Sequence, residues 1–457
     1  MLQNHALPAH DLYTFTVSNH VWTDHEYLSE VLMAVIWGAG GAVAISVAFG
    51  LVTWLGWYWI WQAADGFRRP FVIAGAGLVL GVLAAGPIWG PRAQMITFAL
   101  SCLELLWLRR YLAGRSRAIN WFPLLMVLWA NLHSGWAVAF VILGVAIFAE
   151  ALQWVWSRQP AQLAHLRRLA VVTGLSFAAV AATPHGLALY AYPFGTVFSN
   201  AQQSLIAEWF SPDFHQPYLQ PLLVFILLLI AAFAWKRPNL FDLVLTLVML
   251  GLALHQVRQT SIFVAAATPV LIGSASAAWL EDVRPRLSWF GRRSNARQPL
   301  LMSVLTVLVL FLVLVATAAK IAQGQLTESR AVAGDFPVQA ANWLAGHPDE
   351  VGTRMYNQYG WGGYLLDRFY PDPRRRVFIF GEAALMGDSM LYQYQDVQTL
   401  QPNWRQVLDK FQVDYIVYNR RSPLDNVLRT EPGWRLVYQD SIAVIYVRTT
   451  KTETPPS

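Results

Sequence analysis

The sequence has little charge and almost no cysteine. Only 13% of its 457 residues are Asp, Glu, Lys or Arg, about half the share found in ordinary soluble domains. The single cysteine, Cys102, excludes an intramolecular disulfide framework. Metal-ligand spacings, a P-loop and a dinucleotide fingerprint are also lacking, so the sequence does not indicate enzymes built on those motifs. The first 30 residues contain no basic region followed by an apolar core, so no cleavable signal peptide is predicted.

Long apolar segments take the place of charge. Apolar residues make up 56% of the chain, which includes 21 tryptophans. Its apolar runs are long enough to cross a bilayer, as is typical of membrane-spanning helices. The sequence therefore predicts a polytopic α-helical membrane protein, with about ten transmembrane helices and a small C-terminal α/β domain on the exterior face. The predicted spans are 41–62, 71–87, 92–109, 120–132, 135–156, 168–183, 220–235, 239–254, 260–280 and 299–320.

Basic residues are concentrated in alternate loops. One set of loops carries Arg68, Arg69, Arg109, Arg110, Arg115, Arg117, Arg158, Arg167, Arg168, Lys236, Arg237, Arg284, Arg286, Arg292, Arg293 and Arg297. The opposite loops and the N-terminal segment contain only Arg92 and Arg258. The positive-inside rule then predicts that the basic loops are cytoplasmic and that the other loops are exterior. Because the positive charge is confined to short loops, it does not indicate a nucleic-acid partner.

Composition divides the chain into four regions. Residues 1–40 are predicted as an exterior N-terminal loop with an amphipathic juxtamembrane helix, and 41–321 as the transmembrane helical domain. Residues 335–449 are predicted as the exterior α/β domain and 450–457 as a disordered tail. Within the α/β domain, the expected strands are 354–357, 377–380 and 413–419, with a closing hairpin at 434–447.

The segment 19–32 places carboxylates and histidines directly against an apolar helical stripe. Asp24 and Glu26 begin this helix, and the glycine-rich break at 38–41 separates it from the first span. A carboxylate at such a membrane edge is suited to general-base chemistry. A structural alternative is a capping box from Thr23 to Glu26, with Asp24 favouring the helix dipole.

Two further polar groups fall in the predicted exterior loops. His133 interrupts two apolar segments, where a side chain can reach a water-filled cavity. The loop that begins near His185 carries Glu208 and Trp209 and has no Lys or Arg. Carboxylates bind sugar hydroxyls and aromatic rings stack on pyranose faces, which favours a sugar site. The alternatives are a locally bonded hairpin turn at His133 and a solvated loop with interfacial aromatic anchors.

The few exterior cations indicate a phosphate site. Arg92 and Arg258 are the only basic residues of the exterior loops, and His255 is predicted to lie one helical turn from Arg258. Isolated cations of this kind suit a diphosphate or phosphate group. Helix capping or snorkelling to lipid head groups is the alternative.

Together these features resemble a bacterial branch of the GT-C superfamily. This superfamily contains multi-span glycosyltransferases that use polyprenyl-phosphate-linked sugars, among them protein mannosyltransferases and the lipid A aminoarabinose transferase. The resemblance extends over nearly the whole chain. It depends on Trp22–Leu28, Trp129–Gly135, Pro184–Gly186 with Glu208–Trp209, and Tyr356–Tyr364 leading to Val377–Gly381.

The resemblance implies roles for these residues. In the superfamily, an acidic residue of the first exterior loop is taken as the catalytic base, and cations hold the departing lipid phosphate. By position, Asp24 or Glu26 would be the base. The other implied roles are phosphate binding by Arg92, His255 and Arg258, and lining of the sugar or acceptor site by His133, His185, Glu208 and Trp209. The chain departs from the pattern in that residue 1 falls inside this loop, whereas relatives usually begin with a transmembrane helix.

The expected function is transfer of a sugar from a polyprenyl-phosphate donor to an acceptor polymer, lipid or protein on the exterior face of a bacterial inner or plasma membrane. The partners are then the lipid-linked sugar, membrane lipid and the acceptor, with no nucleic acid. This function implies no particular cofactor. Whether Asp24, Glu26 and Glu208 bind a divalent metal is left open by the sequence. Two alternatives are a catalytically inactive binding or assembly subunit, and a lipid or polymer transporter.

Overall fold

The computed structural model of the chain describes residues 7–283 and 334–449. The last predicted span, 299–320, and the predicted tail, 450–457, lie outside the described residues. The described chain is mostly helical and has one small sheet near its C-terminal end. Its first eleven helices are α1 (Tyr27–Ala63), α2 (Phe71–Ala84), α3 (Gln94–Leu112), α4 (Phe122–Leu132), α5 (Ala137–Ser157), α6 (Pro160–Val180), α7 (Ala191–Val197), α8 (Asn200–Leu205), α9 (Gln220–Trp235), α10 (Leu240–His255) and α11 (Thr260–Ala278).

Several of these helices have the composition of membrane spans. Five helical segments of the described chain are long and apolar enough to cross a membrane: Tyr27–Ala63, Ser134–Ser157, Pro160–Val180, Pro217–Trp235 and Val257–Val283. The apolar helices α2, α4 and α10 are shorter. Large side chains such as Val47 and Leu51 are more than half exposed on α1. An apolar helical surface of this kind is stable in contact with lipid.

Buried aromatic side chains pack the interior of this helical part. Phe98 of α3, Trp129 of α4 and Phe263 of α11 are each at most 1% exposed and belong to one apolar cluster. The α11 segment is the most buried of the five spans. The helices that carry the candidate site therefore surround a continuous packed core.

Helix α1 joins the predicted amphipathic helix to the first predicted span. The predicted glycine break appears as a kink, because Gly40 and Gly41 leave helical geometry inside α1. Gly41 has φ 55° and ψ −147°, a conformation essentially restricted to glycine. The predicted capping box is wrong: α1 begins at Tyr27, and its N-cap residue Glu26 makes no side-chain capping bond.

The described chain divides into two compact units. The first unit contains residues 23–197 and 206–283, and the second contains 8–22, 198–205 and 334–449. The second unit has a four-stranded sheet in the order β1–β2–β4–β3. Strands β1 and β2 are parallel, whereas β2–β4 and β3–β4 are antiparallel. The strands are β1 (Met355–Asn357), β2 (Tyr415–Asn419), β3 (Trp434–Gln439) and β4 (Ala443–Arg448), accompanied by helices α12 (Val338–Gly346), α13 (Gly362–Phe369), α14 (Ala383–Met386), α15 (Asp388–Gln398), α16 (Trp404–Lys410) and α17 (Pro423–Leu428).

The predicted strand at 377–380 does not form. Val377 makes a single parallel bridge with Thr14, and the next residues leave the sheet. Their backbone groups find other partners: the Asn357 side chain accepts from Phe378 N–H at 2.8 Å, and Thr16 Oγ1 donates to Phe378 O at 2.7 Å. An N-terminal segment distant in sequence thus replaces the neighbouring strand.

Candidate functional site

The site lies in the first unit, where the start of α1 is fastened to the end of α4. Tyr27 Oη donates to Asn131 Oδ1 at 2.7 Å, and Ser29 Oγ donates to the carbonyl of Leu132. Asn131 Nδ2 also donates to Ala182 O, at 2.9 Å, after the end of α6. These bonds bring the residues before α1 beside the polar turn that follows α4.

Glu26 stands between two histidines at this junction. Its Oε2 atom lies 3.6 Å from His25 Nε2 and 3.8 Å from His133 Nε2. Both histidine side chains are 9% exposed, whereas that of Glu26 is 26% exposed. The His25 ring stacks on Tyr192 of α7 with a centroid separation of 4.0 Å. The carboxylate is therefore accessible, and the rings beside it are held in place.

The hydrogen bonds of His133 define its tautomer. Nδ1 accepts the backbone N–H of Gly135 at 3.0 Å and lies 2.8 Å from Thr97 Oγ1. Thr97 Oγ1 itself accepts from Trp129 Nε1 at 2.9 Å, so the hydroxyl proton of Thr97 points at the histidine. A neutral imidazole with an acceptor at Nδ1 carries its proton on Nε2. That proton faces Glu26.

Burial keeps both histidines uncharged. Burial, together with the smaller effect of the positive charges of Arg258 and Arg92, lowers the pKa of His133 to about 3. The pKa of His25 lies well below its ordinary value, again because of burial first and then the nearby His133 and Arg258. Near neutral pH the carboxylate of Glu26 therefore has two neutral rings beside it, and neither supplies a counter-ion.

Asp24 is more enclosed than Glu26. Its side chain is 1% exposed, and its Oδ1 atom accepts the backbone N–H of Glu26 at 3.2 Å. Its Oδ2 atom is buried and has no hydrogen-bond partner among the described residues. Burial raises the pKa of Asp24, although the Glu26 N–H and the nearby His185 partly oppose this. The position suits a residue that shapes the turn before α1.

The residues that could hold a metal in the structure differ from the predicted set, which was Asp24, Glu26 and Glu208. The described residues bring His25, Glu26 and His133 together, with one ligand atom of each within 4.8 Å of the others. They do not group Asp24 or Glu208 with these three. An ion in this triangle needs a lone pair on His133 Nε2, but that nitrogen carries the proton because Nδ1 accepts two hydrogen bonds. The three residues are close enough for a metal, but their hydrogen bonding does not fit one.

The two isolated arginines lie close to this cluster. Arg92 forms an ion pair with Glu208 and donates to Ile88 O at 2.8 Å. The guanidinium of Arg258 lies over the ring of Trp209, 4.4 Å from its centroid. Arg258 is close enough to interact electrostatically with Arg92, Glu208 and Glu26. The structure thus places two of the three predicted phosphate ligands, Arg92 and Arg258, near the predicted carboxylate Glu26.

The remaining predicted site residues differ in where the structure places them. His185 is close enough to interact electrostatically with Asp24 and His25, and its Nε2 atom is buried without a partner among the described residues. Trp209 is buried, with Arg258 on its ring. His255 ends α10 with an exposed side chain, and an extended Gln256 interrupts the helix before Arg258. His255 and Arg258 therefore do not share one helical turn.

Three contributors were absent from the predicted site residues. His25 lies between two residues that were selected, Thr97 is inside an apolar helix, and Tyr192 belongs to a short helix of the long loop. The one available signal was the adjacency of His25 to Asp24 and Glu26. Sequence alone does not show that Thr97 faces His133 or that Tyr192 faces His25, because both contacts join distant segments.

No family model and no curated protein matches the sequence. Two solved structures similar to the chain are both crystal structures of ArnT from Cupriavidus metallidurans, an aminoarabinose transferase with the GT-C fold. The structure bound to undecaprenyl phosphate has 15% sequence identity and a TM-score of 0.46, covering 98% of this chain and 92% of that one. The apo structure has 14% identity and a TM-score of 0.49, covering 95% of this chain and 90% of that one.

Proposed function

We propose that the chain is a membrane glycosyltransferase that moves a sugar from a polyprenyl-phosphate donor to a hydroxyl acceptor on the exterior face. The observation that carries this proposal is the geometry at Glu26. An accessible carboxylate is held between two neutral histidines, with the guanidinium of Arg258 within electrostatic reach. Glu26 is then the proton acceptor and Arg258 a separate group that can bind an anion. Glycosyl transfer from a lipid phosphate needs both.

The reaction is a displacement at the anomeric carbon. Glu26 takes the proton of the acceptor hydroxyl as the acceptor oxygen bonds to the anomeric carbon. The bond from that carbon to the phosphate oxygen breaks at the same time, and the electron pair leaves with the lipid phosphate. A base on one side and a cation on the other favour inversion at this carbon.

Glu26 is a better candidate for the base than Asp24. A general base must reach the proton that it removes, and Glu26 is 26% exposed whereas Asp24 is 1% exposed. The Nε2 atom of His133 lies 3.8 Å from the carboxylate. Asp24 instead holds the Glu26 backbone through its 3.2 Å hydrogen bond, which makes it a positioning residue.

Arg258 and Arg92 are the groups proposed to hold the lipid phosphate. Arg258 has its ring contact with Trp209, which orients the guanidinium without neutralising it. Arg92 is paired with Glu208, so phosphate binding there competes with an existing carboxylate. We therefore assign the larger share of phosphate binding to Arg258.

A turnover assay tests the assignment. Purified full chain in lipid is given a radiolabelled pool of polyprenyl-phosphate sugars, and transfer or release of sugar is measured. Replacing Glu26→Gln removes the base but retains the size of the side chain, and we expect turnover to fall about 10²–10⁴-fold. Glu30→Gln is the matched control, because it makes the same substitution one helical turn further along α1.

The outcomes separate catalysis from binding. Loss of turnover in Glu26→Gln with donor binding retained supports the proposal, provided that Glu30→Gln stays active. Equal turnover in Glu26→Gln and wild type overturns the assignment of the base. Donor binding without turnover in the wild type, across several lipid-linked sugars, overturns the transferase and leaves a binding subunit.

A further inference from the structure

One cavity of the described chain lies far from Glu26. It has a volume of about 670 Å³ and is bordered by the last turns of α1 and α3, the start of α10 and the second half of α11. Arg92 and Arg109 stand at opposite ends of α3, a 19-residue helix about 28 Å long. The cavity therefore belongs to the opposite end of the helices from the candidate site.

Positive charge dominates the wall of this cavity. Three carboxylates, Asp65, Glu150 and Asp242, also line it. They are outnumbered by the cations, which are Arg69, Arg109, Arg110, Arg115, Lys236 and Arg237. All six cations come from the loops or helix ends that the charge bias predicts to be cytoplasmic.

Some of these cations already have partners. Arg109 pairs with Asp242 at 2.8 Å and Arg115 with Asp65 at 2.7 Å, while Lys236 pairs with Glu281 at 2.6 Å. The guanidinium groups of Arg69 and Arg237 make no ion pair or hydrogen bond with residues of the described chain. Two guanidinium groups thus line one cavity without an anionic partner among the described residues, and guanidinium is the side-chain group best matched to phosphate.

The surroundings of the cavity are those of a membrane boundary. A smaller cavity of about 380 Å³ shares Asp65, Arg110 and Arg115 with it and is also lined by Phe67. Phe67 is 75% exposed, and Trp235, next to Lys236 in the chain, is 57% exposed. Aromatic side chains exposed beside basic ones at helix ends are typical of the interface between head groups and acyl chains.

We propose that this cavity binds the phosphate head group of an anionic phospholipid. The volume falls within the range of about 300–1,000 Å³ of ordinary ligand sites. Basic pockets between helices on the cytoplasmic side are suited to anionic head groups. The exposed aromatic residues favour a phosphate that carries acyl chains over a free phosphate. The site is independent of the proposed transfer reaction.

Lipid binding by the purified full chain tests this proposal. Native mass spectrometry in a neutral detergent compares phosphatidylglycerol with phosphatidylcholine for the wild type and a double variant, Arg69→Gln with Arg237→Gln. Each cation near an anionic surface strengthens binding about fivefold. The double variant is expected to bind phosphatidylglycerol roughly 25-fold more weakly, with phosphatidylcholine binding unchanged.

The matched control removes two cations from the same set of loops but outside the cavity. Arg117→Gln with Arg167→Gln changes the net charge equally, and both residues are exposed. It is expected to change the affinity for phosphatidylglycerol by less than about twofold, because neither side chain lines the cavity and charges away from the bound head group are screened by salt. An equal loss in this control attributes binding to general surface charge and overturns the site.

A second variant fills the cavity without changing charge. Among the described residues, a Cβ on Gly273 would meet Arg69 Nη2 alone, at 3.9 Å, so Gly273→Leu projects its side chain beside that guanidinium. It is expected to weaken phosphatidylglycerol binding at least tenfold, roughly the effect of losing one good phosphate contact. Retained binding overturns the proposal even if the double arginine variant fails to fold.

Soluble phosphates distinguish the source of the ligand. Inorganic phosphate and pyrophosphate are titrated against bound phosphatidylglycerol at constant ionic strength. We expect neither to displace the lipid at matched concentration, since neither contacts the exposed aromatic residues. Displacement by pyrophosphate as effectively as by phosphatidylglycerol overturns the lipid assignment in favour of a soluble diphosphate.

Discussion

At the scale of single residues, His133 owes its chemistry to the different surroundings of its two ring nitrogens. Nδ1 is held by Gly135 N–H and the Thr97 hydroxyl, and Nε2 faces the Glu26 carboxylate. A second proton would have to displace the Gly135 bond inside a buried site. The neutral ring is thus both the stable form and the form that presents a donor to Glu26.

This arrangement predicts a pH dependence of stability. The pKa of His133 is lowered to about 3 in the folded chain, against about 6.5 when unfolded. The unfolded state therefore binds more protons between these values, and the free energy of unfolding falls as pH falls from 6.5 towards 3. From pH 6.5 to pH 5 we expect His133 to account for a loss of about 2 kcal/mol.

Thermal unfolding in detergent, measured from pH 7 to pH 5, isolates this contribution. His133→Asn is the comparison, because the asparagine oxygen can accept from Gly135 N–H and does not titrate. The groups around His133, namely Glu26, His25, Arg92 and Arg258, remain in both proteins. The difference between wild type and variant should shrink as pH falls, and a constant difference would contradict the lowered pKa of His133.

The same tautomer predicts indifference to metal. Binding an ion at Nε2 would move the His133 proton to Nδ1, where it would oppose the Gly135 N–H, at a cost of about 1–3 kcal/mol. We expect chelator treatment to leave sugar transfer unchanged, and elemental analysis to find no stoichiometric metal. A bound ion that is lost on His25→Gln would show instead that the triangle of His25, Glu26 and His133 rearranges to ligate it.

At the scale of elements, the kink in α1 connects backbone geometry to the position of Glu26. Gly41 has φ 55° and ψ −147°, so Gly41→Ala forces an L-residue into a region that is essentially reserved for glycine. We expect a destabilisation of about 1–3 kcal/mol and reduced sugar transfer. Gly38→Ala is the matched control, because its Cβ enters open space and alanine favours a helix by up to about 1 kcal/mol.

Unfolding and transfer measured on the same two variants check this prediction. Gly38→Ala should be as stable as wild type or more so, and as active. If Gly41→Ala is equally stable and active, then the kink does not position the residues before α1.

Local pattern predicted most elements but not the contacts between them. Apolar length identified α1–α6 and α9–α11, and the glycines at 38–41 identified the kink. The capping box failed because Glu26 turns away from the helix end towards His25 and His133. Strand 377–380 failed because the partners of its backbone come from Thr16 and Asn357, which are remote in sequence.

At the scale of the whole molecule, the distribution of charge was the best predictor of which residues form the candidate site. The residues predicted from the cation-poor loops include Glu26, Arg92, His133, Glu208 and Arg258. The structure places these five in one cluster. Nothing in sequence spacing revealed which helix ends meet. Side-chain bonds between distant segments, such as Tyr27 to Asn131, determine that.

The charge distribution also predicts the orientation of the molecule in the membrane. His215, whose side chain is 98% exposed in a cation-poor loop, should face the exterior, and Arg117, exposed in a basic loop, should face the cytoplasm. Each is replaced by cysteine in a Cys102→Ala background, since Cys102 is buried and its removal eliminates internal thiols. In intact cells a membrane-impermeant thiol reagent should label His215→Cys at once, and Arg117→Cys only after permeabilisation.

Glu350→Cys, exposed in the second unit, should label like His215→Cys if the C-terminal domain is exterior. Labelling in the reverse order would put Glu26 and Arg258 on the cytoplasmic side and the basic cavity on the exterior, so the transferase would have to meet its acceptor inside the cell.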